Sequence, residues 1–428
     1  MRLGWLTIIA MFAVGCADSA PIPGVVPSAQ TARAQHGPLG GAWSERGWGH
    51  HAPTDGGPCA GGTWGDIDPN GRVYHVRADG SDIDGTGSAQ HPFATIGAAI
   101  DTAAAHDRGV HRIAVGPGVF PTQIALDDDD AKIDLMGCSP DETTLKAVSD
   151  TASILDAEGS HHFDVKGVEL SGGWRAVRVR DGGHATLDDV TIRDSAQASV
   201  LVRGTTSEVT LTDSWVVDPQ VVSDMGWGIA VLDGTLTMNG GGVDGATGLG
   251  IFGDAGTLSL TDVQVTGTAS SPMGLGRGLH LQNGSNLTLT GGLFKKNADT
   301  SLFLLDSGNV VISGLVIDIT SAGIVIDFPS TGLTGDGIVV YGGQNVQIYG
   351  SQVIDSARAA LLFDGAQVTV SGNDTTDNGL SIGGYTKFAQ DDAEAAGDDA
   401  PDVLDLHGAL MLQDRSVDWA DLLDDPED

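Results

Sequence analysis

Arg175, Arg178, Arg180, Arg193 and Arg203 fall within 29 residues of one another, with Lys166 and His184 close by. The whole chain holds 21 Lys and Arg against 57 Asp and Glu, a formal net charge of −36, so this cluster is the one local reversal of sign. Like charges held side by side are unfavourable unless an anion or a carboxylate lies between them. Two readings follow. Asp181, Asp188 and Asp189 supply the counter-charge within the protein, or an acidic polysaccharide binds through Arg175, Arg178, Arg180, Arg203 and His184. The same balance of charge excludes nucleic acid as a partner, because the chain repels a polyphosphate everywhere else.

Acidic clusters raise the question of a metal. Asp79, Asp82 and Asp84 share one Gly-rich loop, and Asp127 to Asp130 form an unbroken run. Oxygen-rich turns of this kind can hold Ca²⁺, but neither has the ligand spacing of a defined calcium loop. Asp side chains bonding their own backbone account for the first, and a solvated corner for the second. No cofactor is otherwise implied, since the chain lacks a nucleophile elbow, a zinc spacing and a phosphate loop.

The basic residues sit in a stretch, from Ile113 to Ile382, that repeats in pattern but not in wording. Val200-Leu-Val202, Ile229-Ala-Val231, Leu279-His-Leu281 and Leu302-Phe-Leu304 are alternating pairs. Each is followed by a second pair, Val209/Leu211, Leu236/Met238, Leu287/Leu289 and Val310/Ile312, and often by a third. Period-two alternation between Gly, Asp and Asn reads as strands joined by turns. Carried through the stretch, the first anchor runs Ile113, Ile133, Ile154, Val177, Val200, Ile229, Leu249, Leu279, Leu302, Ile324. The spacing clusters near 22 residues, with longer gaps where loops are inserted. Three short strands cannot enclose a core alone. Coils stacked about 4.8 Å apart can, so the expectation is an all-β parallel β-helix of about 11 coils.

Stacking then places the chemistry. Val179 and Val202 are equivalent inward positions, so Arg180 and Arg203 point outward side by side on adjacent strands. Asn286, Asn309 and Asn345 each precede a second-strand anchor and line up as an amide ladder. Outward Leu201, Leu232, Phe252, Phe303, Leu305, Val325 and Leu362 form an apolar stripe that an inserted loop, the tail or a partner must cover. Asp327 to Gly337 reads as a projecting loop, because Ile338 and Val340 come too soon for a new coil.

The ends differ from the middle. Residues 1–15 have the layout of a secretory signal, and Ala13-Val14-Gly15-Cys16 resembles a bacterial lipobox, with an ordinary signal peptide as the alternative. That resemblance implies lipidation at Cys16 and an outer-membrane or cell-surface address. Membrane association would come through the lipid alone. Residues 16–70 read as a Gly/Pro-rich tether, and 386–428 as an acidic tail that partly caps the last coil. With Cys16 assigned to lipid, Cys59 and Cys138 remain as a pair in an exported chain, either disulfide-bonded or as two thiols.

Residues 71–110 hold a strand (Val73 to Val76), the Asp/Gly loop, and a helix from Thr95 with Ile96, Ala99, Ile100 and Ala103 on one face. Gly80, Asp82, Gly85-Thr86, Pro92-Phe93, Thr95-Ile96, Ala99-Ile100 and Ile113-Ala-Val115-Gly-Pro-Gly118-Val-Phe120 resemble the N-terminal signature of bacterial exported right-handed β-helix proteins of the DUF1565 and pectin-lyase-like type. The resemblance implies a right-handed parallel β-helix over 111–385, with the helix lidding its first coil. Function is left open, because this fold carries lyases, hydrolases, epimerases and proteins without activity. The Asn-Thr-Asp and Arg-Ile-Lys patterns of the polygalacturonase-like hydrolases are absent. A lyase site would draw its base from Lys166, Arg180 or Arg203. The expectation is therefore a surface lipoprotein whose β-helix binds or displays toward carbohydrate, with a polysaccharide lyase as the alternative.

Overall fold

A computed structural model describes Cys59, residues 72–106 and, with short interruptions, 110–375, together with Asn378 and the strand Val403–Asp405. The signal, Cys16, most of the tether and tail, and Asp127 to Asp130 lie outside the described residues.

Each coil contributes three strands, and the strands of the coils pair in parallel with their equivalents one coil away. The first strands form an eleven-stranded sheet from Ile124–Ala125 to Val403–Asp405, and the second and third strands share a twenty-stranded sheet. Across the first sheet, Leu155, Val177, Val200, Ile229, Ile251, Leu279, Leu302, Ile338 and Leu361 lie in one register. All are buried in one continuous aliphatic column. This is the right-handed parallel β-helix expected.

The anchors shift in detail. Ile113 and Ile133 belong to second strands, where they pair with Leu135 and His111 respectively. Leu155 replaces Ile154, and Ile251 replaces Leu249. Ile338 replaces Ile324, which sits in an antiparallel hairpin of Ile324–Asp327 with Ser330–Leu333. The projection thus begins before Asp327, and Ile338 to Val340 is a first strand, pairing with Leu302 to Leu304.

A row of small residues sets this register. Ala176, Ser199, Gly228, Gly250, Gly278, Ser301, Gly337 and Ala360 each stand immediately before the first-strand anchor. Both residues face inward there, and only a small side chain or none fits at the earlier position in these coils. A Cβ on Gly250 would lie 2.5 Å from the Gly278 carbonyl oxygen and 2.7 Å from Val265 Cγ1. The corner between second and third strands needs a left-handed backbone instead. Asp189, Asp213 and Asp262 adopt φ of 54°, 47° and 53°, and glycine takes the same place at Gly240 and Gly291. Asp tolerates this region better than most side chains, which is why Asp and Gly punctuate the repeat.

At the N-terminal end, Val73–Val76 pairs with Val110–Val115, and the helix Ile96–His106 buries Ile96, Ala99 and Ala103 against the column. Thr95 is its N-cap rather than its first residue, with Oγ1 accepting from the Ala98 amide at 3.2 Å. A disulfide joins Cys59 to Cys138. At the other end Val403–Asp405 pairs with Leu361 to Phe363, extending the first sheet by one strand.

The outward apolar stripe is buried. Leu201, Leu232 and Phe252 pack with Trp227 and Leu249 beneath Met225 and Leu275, which come from chain inserted between a third strand and the next first strand. Phe303, Leu305 and Leu362 form a further cluster with Val339 and Ala359. Val325 falls in the hairpin.

Candidate functional site

The structure divides the basic cluster between two faces. On the outer face of the first sheet, Asp156, Arg178 and Leu201 form one column, and Glu158, Arg180 and Arg203 the next. Arg178 donates to both oxygens of Asp156, at 3.1 and 2.5 Å. Arg180 lies 2.5 Å from Glu158 and 3.8 Å from both Asp156 and Asp181. Arg180 and Arg203 are neighbours in register, as the alternation implies, and carboxylates from the preceding coil relieve their repulsion. Sequence reasoning named Asp181 but missed Asp156 and Glu158, because those partners lie a full coil away.

Lys166 and His184 stand on the outer face of the second sheet instead. Lys166 donates to Asp188 at 2.6 Å, and His184 lies 3.5 Å from Glu208. A proton-abstracting base at Lys166 would therefore not share a face with Arg180 and Arg203. Beside them, Asp164 takes hydrogen bonds from His162 at 2.7 Å and is 2.6 Å from Lys132. Burial pushes the Asp164 carboxyl up, but these two partners outweigh it and hold it at about 2. Arg193 sits on a third strand, 3.3 Å from Glu169. Arg175 is fully buried and donates to Gln197 Oε1 at 2.7 Å, which withdraws it from any surface set.

The Asp loop is engaged in holding the N-terminal unit. Asp82 accepts from the amides of Ala94 and Thr95 and from Thr95 Oγ1, fixing the entry to the helix. Asp79 is bonded by Arg77, which lowers its carboxyl, and the Asp84 amide donates to Ser81 Oγ at 3.0 Å. The amide ladder is present: Asn309 donates to Asn286 and Asn345 to Asn309, the latter at 2.7 Å.

A constellation that sequence reasoning missed lies under the inserted chain on the first sheet. Arg277 is 5% exposed, Asp299 1% and His280 2%. Arg277 Nε donates to Asp299 at 3.0 Å, its guanidinium stacks 3.7 Å from the centre of the Phe303 ring, and it lies 3.2 Å from His280 Nδ1. Arginine can only donate, so Nδ1 accepts and the His280 proton sits on Nε2, which has no hydrogen-bond partner. Burial, with the Arg277 charge adding to it, pushes the His280 pKa well down. The imidazole is neutral, wedged edge-on between Phe252 and Phe303 at 5.5 and 5.0 Å. The only trace of this in the sequence is a pair of polar residues, Arg277 and His280, interrupting the outward apolar stripe.

A profile described as a right handed beta helix region matches residues 153–379. With the parallel stack, the corner rows and the inward column in place, the chain belongs to the right-handed β-helix family. No curated protein sequence matches it significantly. Among solved structures it is similar to the A-module of the mannuronan C-5 epimerase AlgE4 of Azotobacter vinelandii. That match has 16% identity and a TM-score of 0.40, covering 71% of this chain and 89% of that one. The catalytic domain of a GH87 alpha-1,3-glucanase in complex with nigerose is similar at 11% identity and a TM-score of 0.24, covering 79% of this chain and 69% of that one.

Proposed function

We propose that this chain is an exported, lipid-anchored surface protein whose β-helix is a binding module for polysaccharide. The observation that carries the reading is the locked condition of the outward polar groups. Arg178 with Asp156, Arg180 with Glu158, Lys166 with Asp188 and Arg193 with Glu169 are each joined across coils. Donors and acceptors fixed in this way on rigid parallel strands lose little freedom when a sugar hydroxyl replaces water, which is the main benefit of preorganisation in binding. An acidic polysaccharide at Arg178, Arg180 and Arg203 has to compete with the carboxylates already in place, and His184 stands on a different face.

The test is co-sedimentation and calorimetry of the purified protein with polyuronates and with neutral glucans, at low and at physiological salt. Binding to at least one polymer is expected. Failure to bind any of them at low salt overturns the reading, and new unsaturated ends in the polymer would replace it with a polysaccharide lyase. Fatty-acid labelling that disappears in Cys16→Ala tests the anchor.

A further inference from the structure

The outer face of the second sheet changes character along the solenoid. Near its start it carries the ion pairs of Asp164, Lys166 and His184. From Glu208–Thr212 onward, the strands Thr235–Asn239, Thr257–Thr261 and Asn286–Thr290 follow in register. Thr210, Thr237, Ser259 and Thr288 form one outward row, and Thr212, Asn239, Thr261 and Thr290 form the next. Their inward neighbours, such as Leu211, Met238, Leu260 and Leu289, are buried in the core. Each row repeats about every 4.8 Å along the solenoid, and the two rows stand two residues, roughly 6.6 Å, apart along the strand.

Two properties separate this lattice from a merely strand-forming surface. In a chain of net charge −36 with 18% charged residues, neither row carries a charge over these four coils. Among the described residues, the seven hydroxyls of the two rows make no hydrogen bond, whereas the corner hydroxyls Ser207, Ser214 and Ser285 are all bonded to backbone groups. The side chains are half-exposed or exposed, and β-branched Thr is stiff at χ1, so the hydroxyls are held in place yet available to a ligand.

We propose that this face docks on the surface of an ordered, uncharged polysaccharide, with the Thr210 to Thr288 row as its line of contact. An uncharged row neither attracts nor repels a neutral polymer, while the acidic chain around it repels polyanions. Regular hydroxyls opposite a regular hydroxylated surface make many weak bonds at once, and such contacts multiply when geometry lets all engage together. The proposal rests on the polysaccharide reading above and assigns it a face and a polymer class.

The experiment compares three forms of the full chain on insoluble neutral glucan particles. They are the wild type, the triple variant Thr210→Val, Thr237→Val and Thr288→Val, and the double variant Arg180→Ala with Arg203→Ala. Valine keeps the shape and the strand preference of threonine and exchanges only the hydroxyl for a methyl group. The triple variant should bind on the order of tenfold more weakly or worse, with an unchanged circular dichroism spectrum, and its loss should exceed that of the double variant. A single Thr237→Lys variant, whose exposed ammonium leaves the core untouched, should weaken binding likewise and guards against a folding defect in the triple variant. Undiminished binding by the triple and Lys variants overturns this face. If the arginine double variant alone loses binding, polysaccharide binding stands and the contact lies on the first sheet. Wild-type protein that binds polyuronates but no neutral glucan overturns the inference, and protein that binds neither overturns the polysaccharide reading with it.

Discussion

Acidification should loosen this protein through one side chain, and His280→Phe should remove the effect. In the folded chain the imidazole is neutral because burial and the neighbouring Arg277 both oppose its charge. In the unfolded chain it takes a proton near the ordinary value of about 6.5. The unfolded state therefore binds more protons below that pH, so the contribution is full above about 6.5 and is lost as pH falls. Each unit of pH below that value removes up to about 1.4 kcal/mol. Other groups titrate over the same range, and relief of the −36 charge works in the opposite direction. The informative quantity is thus the difference between wild type and His280→Phe in urea midpoints measured from pH 7.5 to 5. Phenylalanine extends the aromatic row of Phe252 and Phe303, and any packing penalty enters as an offset independent of pH. Parallel curves for the two proteins would refute the assignment of a buried neutral imidazole.

Three further outcomes are expected. Asp299→Asn removes a buried carboxylate that Arg277 bonds at 3.0 Å and should destabilise by about 3–5 kcal/mol, read as a loss in the urea midpoint. Gly278→Val places a Cβ 2.7 Å from the Ser301 carbonyl oxygen and 2.8 Å from Asn297 Nδ2, so expression as folded protein should fall steeply, whereas Gly284→Ala, which meets nothing within 4 Å but sits at φ 80°, should cost about 1 kcal/mol. Asp244→Asn should be neutral or stabilising at pH 7, because burial raises that carboxyl against the Thr266 hydrogen bond and with the help of Asp218, and a melting temperature lowered by several degrees would contradict it.

What could be read from the chain depended on distance along it. Alternation is local, so the inward column and the side-by-side Arg180 and Arg203 followed from Val179 and Val202 alone. The Asn286, Asn309 and Asn345 ladder followed in the same way. Register was harder, because Ile154-Leu155 and Leu249-Gly-Ile251 offer two aliphatics where one is wanted. The small residue before an anchor does not decide between them, since Ser153 precedes Ile154 and a glycine precedes both Leu249 and Ile251. Ion partners were out of reach: Asp156 meets Arg178 only after a whole coil, and coil length varies with each insertion. The buried set of Arg277, His280 and Asp299 was hidden for a different reason. Whether an outward position is exposed depends on what the inserted chain covers, and periodicity carries no information about that.

The disulfide between Cys59 and Cys138 changes how the molecule would carry load. Val73–Val76, the helix and Val110–Val115 all belong to the segment it encloses. A pull on the chain ahead of Cys59 passes through the sulfur bridge to Cys138, beside the strand Lys132–Met136, and bypasses the enclosed segment. Those first elements are then spared the peeling that a terminal strand would suffer under tension. The bridge acts as a mechanical shunt, and single-molecule stretching from the N-terminus should lengthen by the enclosed residues only after reduction.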